Sequence, residues 1–146
     1  MAGQLEGKVS LITGGGSGIG KASALAFARE GSKVVVVDVN VAGAEETVRI
    51  IQDTGGGASL IRANVADAGD VAAMVDQVVH THGRLDCAFN NAGVSGGRGR
   101  IHEYSEDDWD RVIDINLKGV WLCLKYEIIQ MLNQGSGSIV NTASIM

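Results

Sequence analysis

Residues Lys8–Gly20 read KVSLITGGGSGIG, and no other stretch narrows the fold as much. A β-prone apolar run, Val9–Ile12, ends in Thr13. Glycines follow at 14, 15, 16, 18 and 20, and Lys21–Glu30 are good helix formers. Strand, glycine turn and helix together aim backbone N–H groups and a helix N-terminus at an anion such as a phosphate. Five glycines in seven residues cost chain entropy, and packing alone returns nothing for them. A turn that holds no ligand is the plain alternative. Two familiar phosphate loops do not fit. A G-x-G-x-x-G turn starting at Gly14 would need glycine where Ile19 stands. A P-loop fits from Gly15 through Gly20 and Lys21, but Ala22 occupies the place of the Mg²⁺-binding hydroxyl, and Ser23 comes one residue late. What stands is Thr13-Gly14-x-x-x-Gly18-x-Gly20.

The rest of the chain repeats the strand–helix alternation. Lys33–Asp38 carries four consecutive valines and predicts a central strand. Val41, Ala44, Val48 and Ile51 follow at helical spacing, up to Gly55-Gly56-Gly57. Ala58–Arg62 predicts a third strand and Asn64–Ala66 a loop. Asp67, with Asp70 three residues on, marks a helix start; Val71, Met74, Val75, Val78 and Val79 give that helix one apolar face, and Gly83 closes it. Leu85–Asn90 predicts a fourth strand and Val94–His102 a loop. Ser105 and three acids open a long helix to about Leu132, and Ser138–Thr142 predicts a fifth strand. Helices of ten or more residues between strands call for right-handed βαβ crossovers, hence an α/β fold with a doubly wound parallel sheet. A length of 146 residues makes residues 1–146 one domain.

Composition removes several function classes. A net charge of −5 provides no basic field for nucleic acid or an anionic membrane. No apolar run approaches the ~18 residues of a membrane span. MAGQLEGK has no basic region followed by an apolar one, so a cytoplasmic location is expected. Cys87 and Cys123 lie in apolar runs, as reduced core thiols do. His80, His82 and His102 have no Cys or carboxylate at ligand spacing, so no metal is expected.

Three side chains carry the chemistry. Asp38 ends the second strand, within reach of a ribose held at the first turn. Its carboxylate would accept from a 2′-OH and repel a 2′-phosphate, and no Lys or Arg stands at 17 or 39; NAD is favoured over NADP. Asn116 lies beside an apolar helical row, Trp109, Ile113, Leu117, Val120, Leu124, Ile128 and Met131, where an Asn needs hydrogen-bond partners. Trp121 and Val112 give the same helix a second apolar side. Ser144 ends the fifth strand, at the sheet edge where open α/β folds place ligands.

These features together resemble the short-chain dehydrogenase/reductase family. The resemblance rests on Thr13–Gly20, on Asn90-Asn91-Ala92-Gly93, on Asn116 within DINLKG, and on Gly137–Ser144 (GSIVNTAS); it runs from about Lys8 to Ser144. It implies a Rossmann-type domain. By position, Gly14, Ser17, Gly18, Ile19 and Gly20 would wrap the pyrophosphate and adenosine ribose, Asp38 would select NAD, and Asn64 and Val65 would line the adenine. The family usually has Asp where Asn64 stands. Asn91, Ala92 and Gly93 would run along the nicotinamide ribose. Asn116 would hold a water of a proton relay, and Ser144 would hydrogen-bond the carbonyl of a small alcohol or carbonyl substrate. The helix at 105–132 would join subunits into a dimer or tetramer. The family's proton donor is the Tyr of Y-x-x-x-K, which follows the Ser. Here Tyr104 has Asp108 four residues on and Tyr126 has Gln130. The expectation is a sheet truncated after about five strands, inactive by itself for want of the Tyr and Lys, from an NAD-dependent oxidoreductase; the alternative is a non-catalytic dinucleotide-binding or regulatory module.

Overall fold

The computed structural model describes residues 2–144; Met1, Ile145 and Met146 lie outside the described residues. Five strands form one parallel sheet: β1 (Val9–Thr13), β2 (Lys33–Asp38), β3 (Ala58–Arg62), β4 (Cys87–Asn90) and β5 (Ser138–Asn141). Their spatial order is β3-β2-β1-β4-β5. The chain therefore winds outward from β1 in one direction, then crosses back to build β4 and β5 on the other side. The switch falls between β1 and β4, and a crevice opens at the C-terminal ends of such strands.

The valine run of β2 explains its central place. Its alternate side chains enter two separate cores, Val35 and Val37 on one face and Val34 and Val36 on the other, all essentially inaccessible. Each such burial contributes about 1.5–3 kcal/mol. One core is covered by α1 (Gly18–Arg29) and α2 (Val41–Asp53), through Ala24, Ala44, Val48 and Ile51. The other is covered by α3 (Ala68–His82), through Val71, Met74, Val75 and Val78, and by the helix before β5. Asp67 caps α3 by accepting from the Asp70 N–H at 2.8 Å, and Gly83 ends it in the left-handed region at φ +79°.

Three boundaries differ from the sequence expectations. Helix α1 starts at Gly18, so the last glycines of the turn already belong to its first turn. Strand β4 starts at Cys87 instead of residue 85. Asp86 is diverted there: its carboxylate accepts from the Val9 N–H at 2.9 Å and pairs with Arg84. Burial alone would raise the Asp86 carboxyl, but Arg84, the Val9 N–H and Lys8 outweigh it and hold it below the usual carboxylate range.

The third difference matters most. The long helix is α4 (Glu106–Ile113), a π-helical stretch (Asp114–Lys118) and α5 (Gly119–Gln134), helical through both junctions. The Gly119 N–H reaches back five residues to the Asp114 carbonyl. That extra residue turns the following helix by roughly 100° relative to an uninterrupted one. The face buried against the sheet is Gly119, Leu122, Cys123, Glu127 and Met131. Of the expected apolar row, only Met131 is buried, whereas Trp109, Leu117 and Ile128 are exposed. Asn116 is likewise exposed instead of set among apolar side chains.

Candidate functional site

The crevice at the switch point is a cleft of about 760 Å³. Its first wall is the glycine turn, whose shape is a backbone matter. Gly14 and Gly18 hold φ of +64° and +51°, a region that side chains disfavour. A Cβ on Gly20 would overlap the Gly14 carbonyl oxygen and come within 2.7 Å of Asn91 Nδ2. Gly20 is thus buried behind the turn and lets it close, while Gly14 and Gly18 face the cleft.

Two struts from β2 fix the turn. The Gly15 N–H donates to the Val37 carbonyl at 3.1 Å, and the Gly16 N–H donates to Asp38 Oδ2 at 2.9 Å. Asp38 Oδ1 accepts from the Asn40 N–H at 2.9 Å. The Thr47 hydroxyl donates to the Gly15 carbonyl at 2.9 Å, which ties α2 to the same turn. Helices α2, α3 and α4 start with a side chain capping a backbone N–H, but Ser17 makes no such bond at α1. The amide end of α1 and the Ser17 hydroxyl therefore stay available to the cleft.

The opposite wall is fastened by side chains. Thr13 Oγ1, buried at the end of β1, accepts from the N–H groups of Asn91 at 2.9 Å and Ala92 at 3.0 Å. The Thr142 hydroxyl donates to Asn91 Oδ1 at 3.0 Å. Asn116 forms a two-point clamp on Val94: its Oδ1 accepts from the Val94 N–H at 2.8 Å, and its Nδ2 donates to the Val94 carbonyl at 2.9 Å. The side chain is thus a backbone clamp on the loop after β4.

Every site residue predicted from the sequence except Gly20 lines this cleft: Gly14, Ser17, Gly18, Ile19, Asp38, Asn64, Val65, Asn91, Ala92, Gly93, Asn116 and Ser144. Thr142 and Ala143 bring β5 to the same edge, and Val39 and Ile115 supply apolar walls that the sequence reading did not single out. Asp38 is the one charged side chain among the described lining residues. Asn64 accepts from the Ala66 N–H through its side chain, and its own N–H donates to Asp70 Oδ2. The loop is therefore shaped without the more usual Asp.

Glu127 escaped the sequence reading. It is wholly buried, and its Oε2 accepts from Asn90 Nδ2 at 2.9 Å. Burial raises its carboxyl to about 7, with the Asn90 hydrogen bond pulling the other way. Cys123, one turn earlier, is pushed up to about 12 by burial and by the Glu127 charge. A signal was present: Glu127 sits four residues from both Cys123 and Met131, but the π-helical stretch shifts the buried face by one residue and hides the pattern. Among the described residues no cluster of His, Cys, Asp and Glu could hold a metal ion, and no helix is long and apolar enough to cross a membrane.

Comparison with known proteins agrees with this architecture. The family model described as short chain dehydrogenase matches residues 8–146. Cyclohexanol dehydrogenase of Acinetobacter sp. (strain SE19) is 46% identical over 145 residues, covering 99% of this chain and 58% of that protein. Levodione reductase of Leifsonia aquatica is 41% identical over 140 residues, covering 94% of this chain and 52% of the relative. A crystal structure of NAD⁺-bound xylitol dehydrogenase superposes with a TM-score of 0.94 at 38% identity, covering 97% of this chain and 55% of that one. The chain spans about half the length of the curated relatives it matches. It belongs to the short chain dehydrogenase family.

Proposed function

We propose that this chain is the cofactor-gripping part of an NAD-dependent oxidoreductase acting on a small alcohol or carbonyl compound. The observation that carries the reading is Asp38. It is the one charged side chain lining the described cleft, and it already braces the glycine turn through the Gly16 N–H. A carboxylate there favours a ribose hydroxyl and repels a 2′-phosphate, and the lining supplies no cation to offset that repulsion. The residues fit a dinucleotide: glycines that admit a backbone approach, the open N-terminus of α1 for a pyrophosphate, and apolar walls at Val39 and Val65 for an adenine. NAD, when bound, supplies the hydride acceptor.

The roles proposed for the chain follow from position. Gly14, Ser17, Gly18 and Ile19 hold the pyrophosphate and adenosine ribose, with Gly20 closing the turn behind them. Asn64 and Val65 flank the base. Asn91, Ala92 and Gly93 run beside the nicotinamide ribose, fixed from below by Thr13. Ser144 orients the substrate oxygen. Asn116 acts through the loop it clamps at Val94, and a water held at its helix turn would complete a proton path. No Tyr in the 146 residues has a Lys four positions on, so we assign the proton donor to the intact protein and expect these residues alone to bind without turnover. The same cleft lining also fits a second reading, a non-catalytic dinucleotide-binding module.

The exposed Trp109, Leu117, Trp121, Ile128 and Leu132 on the long helix support subunit pairing there, and a cytoplasmic setting would supply the cofactor. Calorimetric titration of the chain with NAD and NADP tests the cofactor assignment. NAD should bind at least about tenfold more tightly, a difference of ~1.4 kcal/mol. Equal or tighter binding of NADP would overturn it. Turnover of an alcohol by the intact protein separates the enzyme from the binding module.

A further inference from the structure

The buried carboxylic acid on α5 has no place in the roles above. Glu127 has no accessible surface and sits in the core with Leu122, Cys123 and Met131. A leucine would fill that volume without stripping water from a carboxyl, so stability alone does not explain an acid there. What the acid does is hold one partner. Both amide hydrogens of Asn90 are engaged: Nδ2 donates to Glu127 Oε2 at 2.9 Å and to Asn141 Oδ1 at 3.1 Å. Asn90 is buried and is the last residue of β4, while Asn141 is its register partner at the end of β5. The Asn90 carbonyl also accepts from the Thr142 N–H at 3.0 Å. Asn90 therefore brackets the two strand ends together, and Glu127 fixes the bracket from behind the sheet.

We propose that Glu127 is a positioning residue for the nicotinamide half of the cleft, setting through the Asn90 amide the junction of β4 and β5 from which Asn91–Gly93 and Ser144 extend. This rests on the dinucleotide reading given above. The glycine turn and Asp38 lie on the other side of β1 and are held by bonds that do not pass through Glu127. The two halves of a dinucleotide should therefore feel Glu127 differently.

The test is calorimetric titration of the chain with NADH and with ADP-ribose, which lacks the nicotinamide. Glu127→Leu should weaken NADH by about tenfold and leave ADP-ribose within about twofold, because the Asn90 amide behind the nicotinamide half loses its buried acceptor. Glu127→Gln keeps an acceptor for Asn90 Nδ2 and should bind both ligands within about twofold of the parent. A loss in Glu127→Leu that falls equally on both ligands, or no loss at all, overturns the inference. So does a Glu127→Gln variant that loses as much NADH affinity as Glu127→Leu. Should Glu127→Leu not fold, Asn141→Ala removes the other arm of the bracket at an exposed strand end and should show the same NADH-selective loss; an unchanged ratio of the two affinities overturns the inference there too. If the parent chain binds neither ligand, the dinucleotide reading itself fails and the inference falls with it. If it binds both and the ratio does not move, only the inference fails.

Discussion

The two walls of the cleft are built differently. The glycine-turn wall is almost all backbone: a left-handed Gly14 and Gly18, a carbonyl strut from β2, and one carboxylate. The wall at β4 and β5 is fastened by side chains from distant elements: Thr13 on Asn91 and Ala92, Asn116 on Val94, Glu127 on Asn90. A backbone-built wall has little room for substitution, since a single Cβ blocks it. A side-chain-built wall can lose one fastener and keep its course, so its failures should be smaller and more selective.

The sharpest way to break this comparison is Gly20→Val. The added side chain must displace the Gly14 carbonyl, which is main chain and cannot turn aside. We expect a stability loss of about 1–3 kcal/mol and at least about a hundredfold loss of NAD affinity. Chemical denaturation and calorimetry check both. A variant that binds NAD like the parent would show that the turn is softer than its geometry implies.

Glu127 predicts a pH effect of similar size on stability but a different kind. Its carboxyl stands at about 7 in the fold against 4.5 for the unfolded chain, with burial as the main cause. Between those values the folded chain binds a proton that the unfolded chain has released. Stability therefore falls as pH rises from about 4.5 to about 7, then levels off, by roughly 3 kcal/mol. Glu127→Gln removes this dependence. The parent-minus-variant difference in unfolding free energy should change by that amount between pH 4.5 and 8. A constant difference would mean that the carboxyl is solvated in the fold.

The same contrast explains what could be read from residue order. All five strands, the parallel doubly wound sheet and the caps at Asp67 and Ser105 follow from local patterns, because strand alternation and capping act within a few residues. The glycine turn and Asp38 are legible for the same reason. The π-helical stretch at Asp114–Lys118 is not, because nothing in a three-and-four spacing marks an inserted residue. Read without it, Leu117 and Ile128 fall in one row with Met131, Asn116 stands beside apolar neighbours, and Glu127 goes unnoticed. Asp86 reads as strand from the sequence because its partner, the Val9 N–H, lies 77 residues away.

Asp38 joins the two kinds of wall, since it is a side chain that braces a backbone turn. Asp38→Ala removes the acceptor for both the Gly16 and the Asn40 N–H, each at 2.9 Å. Loss of a charged acceptor at a partly buried site costs about 1.5–3 kcal/mol, so NAD should weaken by roughly tenfold or more. Removing the repulsion should not carry NADP up to the parent's affinity for NAD, because the turn that would hold either pyrophosphate has lost its strut. A variant that binds NADP as the parent binds NAD would show that Asp38 acts on the ribose alone.

The smallest effect is expected at Asn116. Its clamp on Val94 lies on an exposed loop, so water can replace both hydrogen bonds when Asn116→Ala removes them. Thermal unfolding should shift by the equivalent of about 1 kcal/mol or less. ADP-ribose affinity should stay unchanged, because no bond from Asn116 reaches the glycine turn. NADH affinity should fall by a few-fold, as the loop after Gly93 loosens. The sequence alone sets Asn116 beside an apolar row, where an unmet hydrogen bond would cost ~1–3 kcal/mol. An effect that small and confined to the nicotinamide side would support the view that this wall is assembled from separable fasteners. A large, uniform loss would mean that the π-helical turn depends on the clamp, and that the two walls are coupled through the long helix after all.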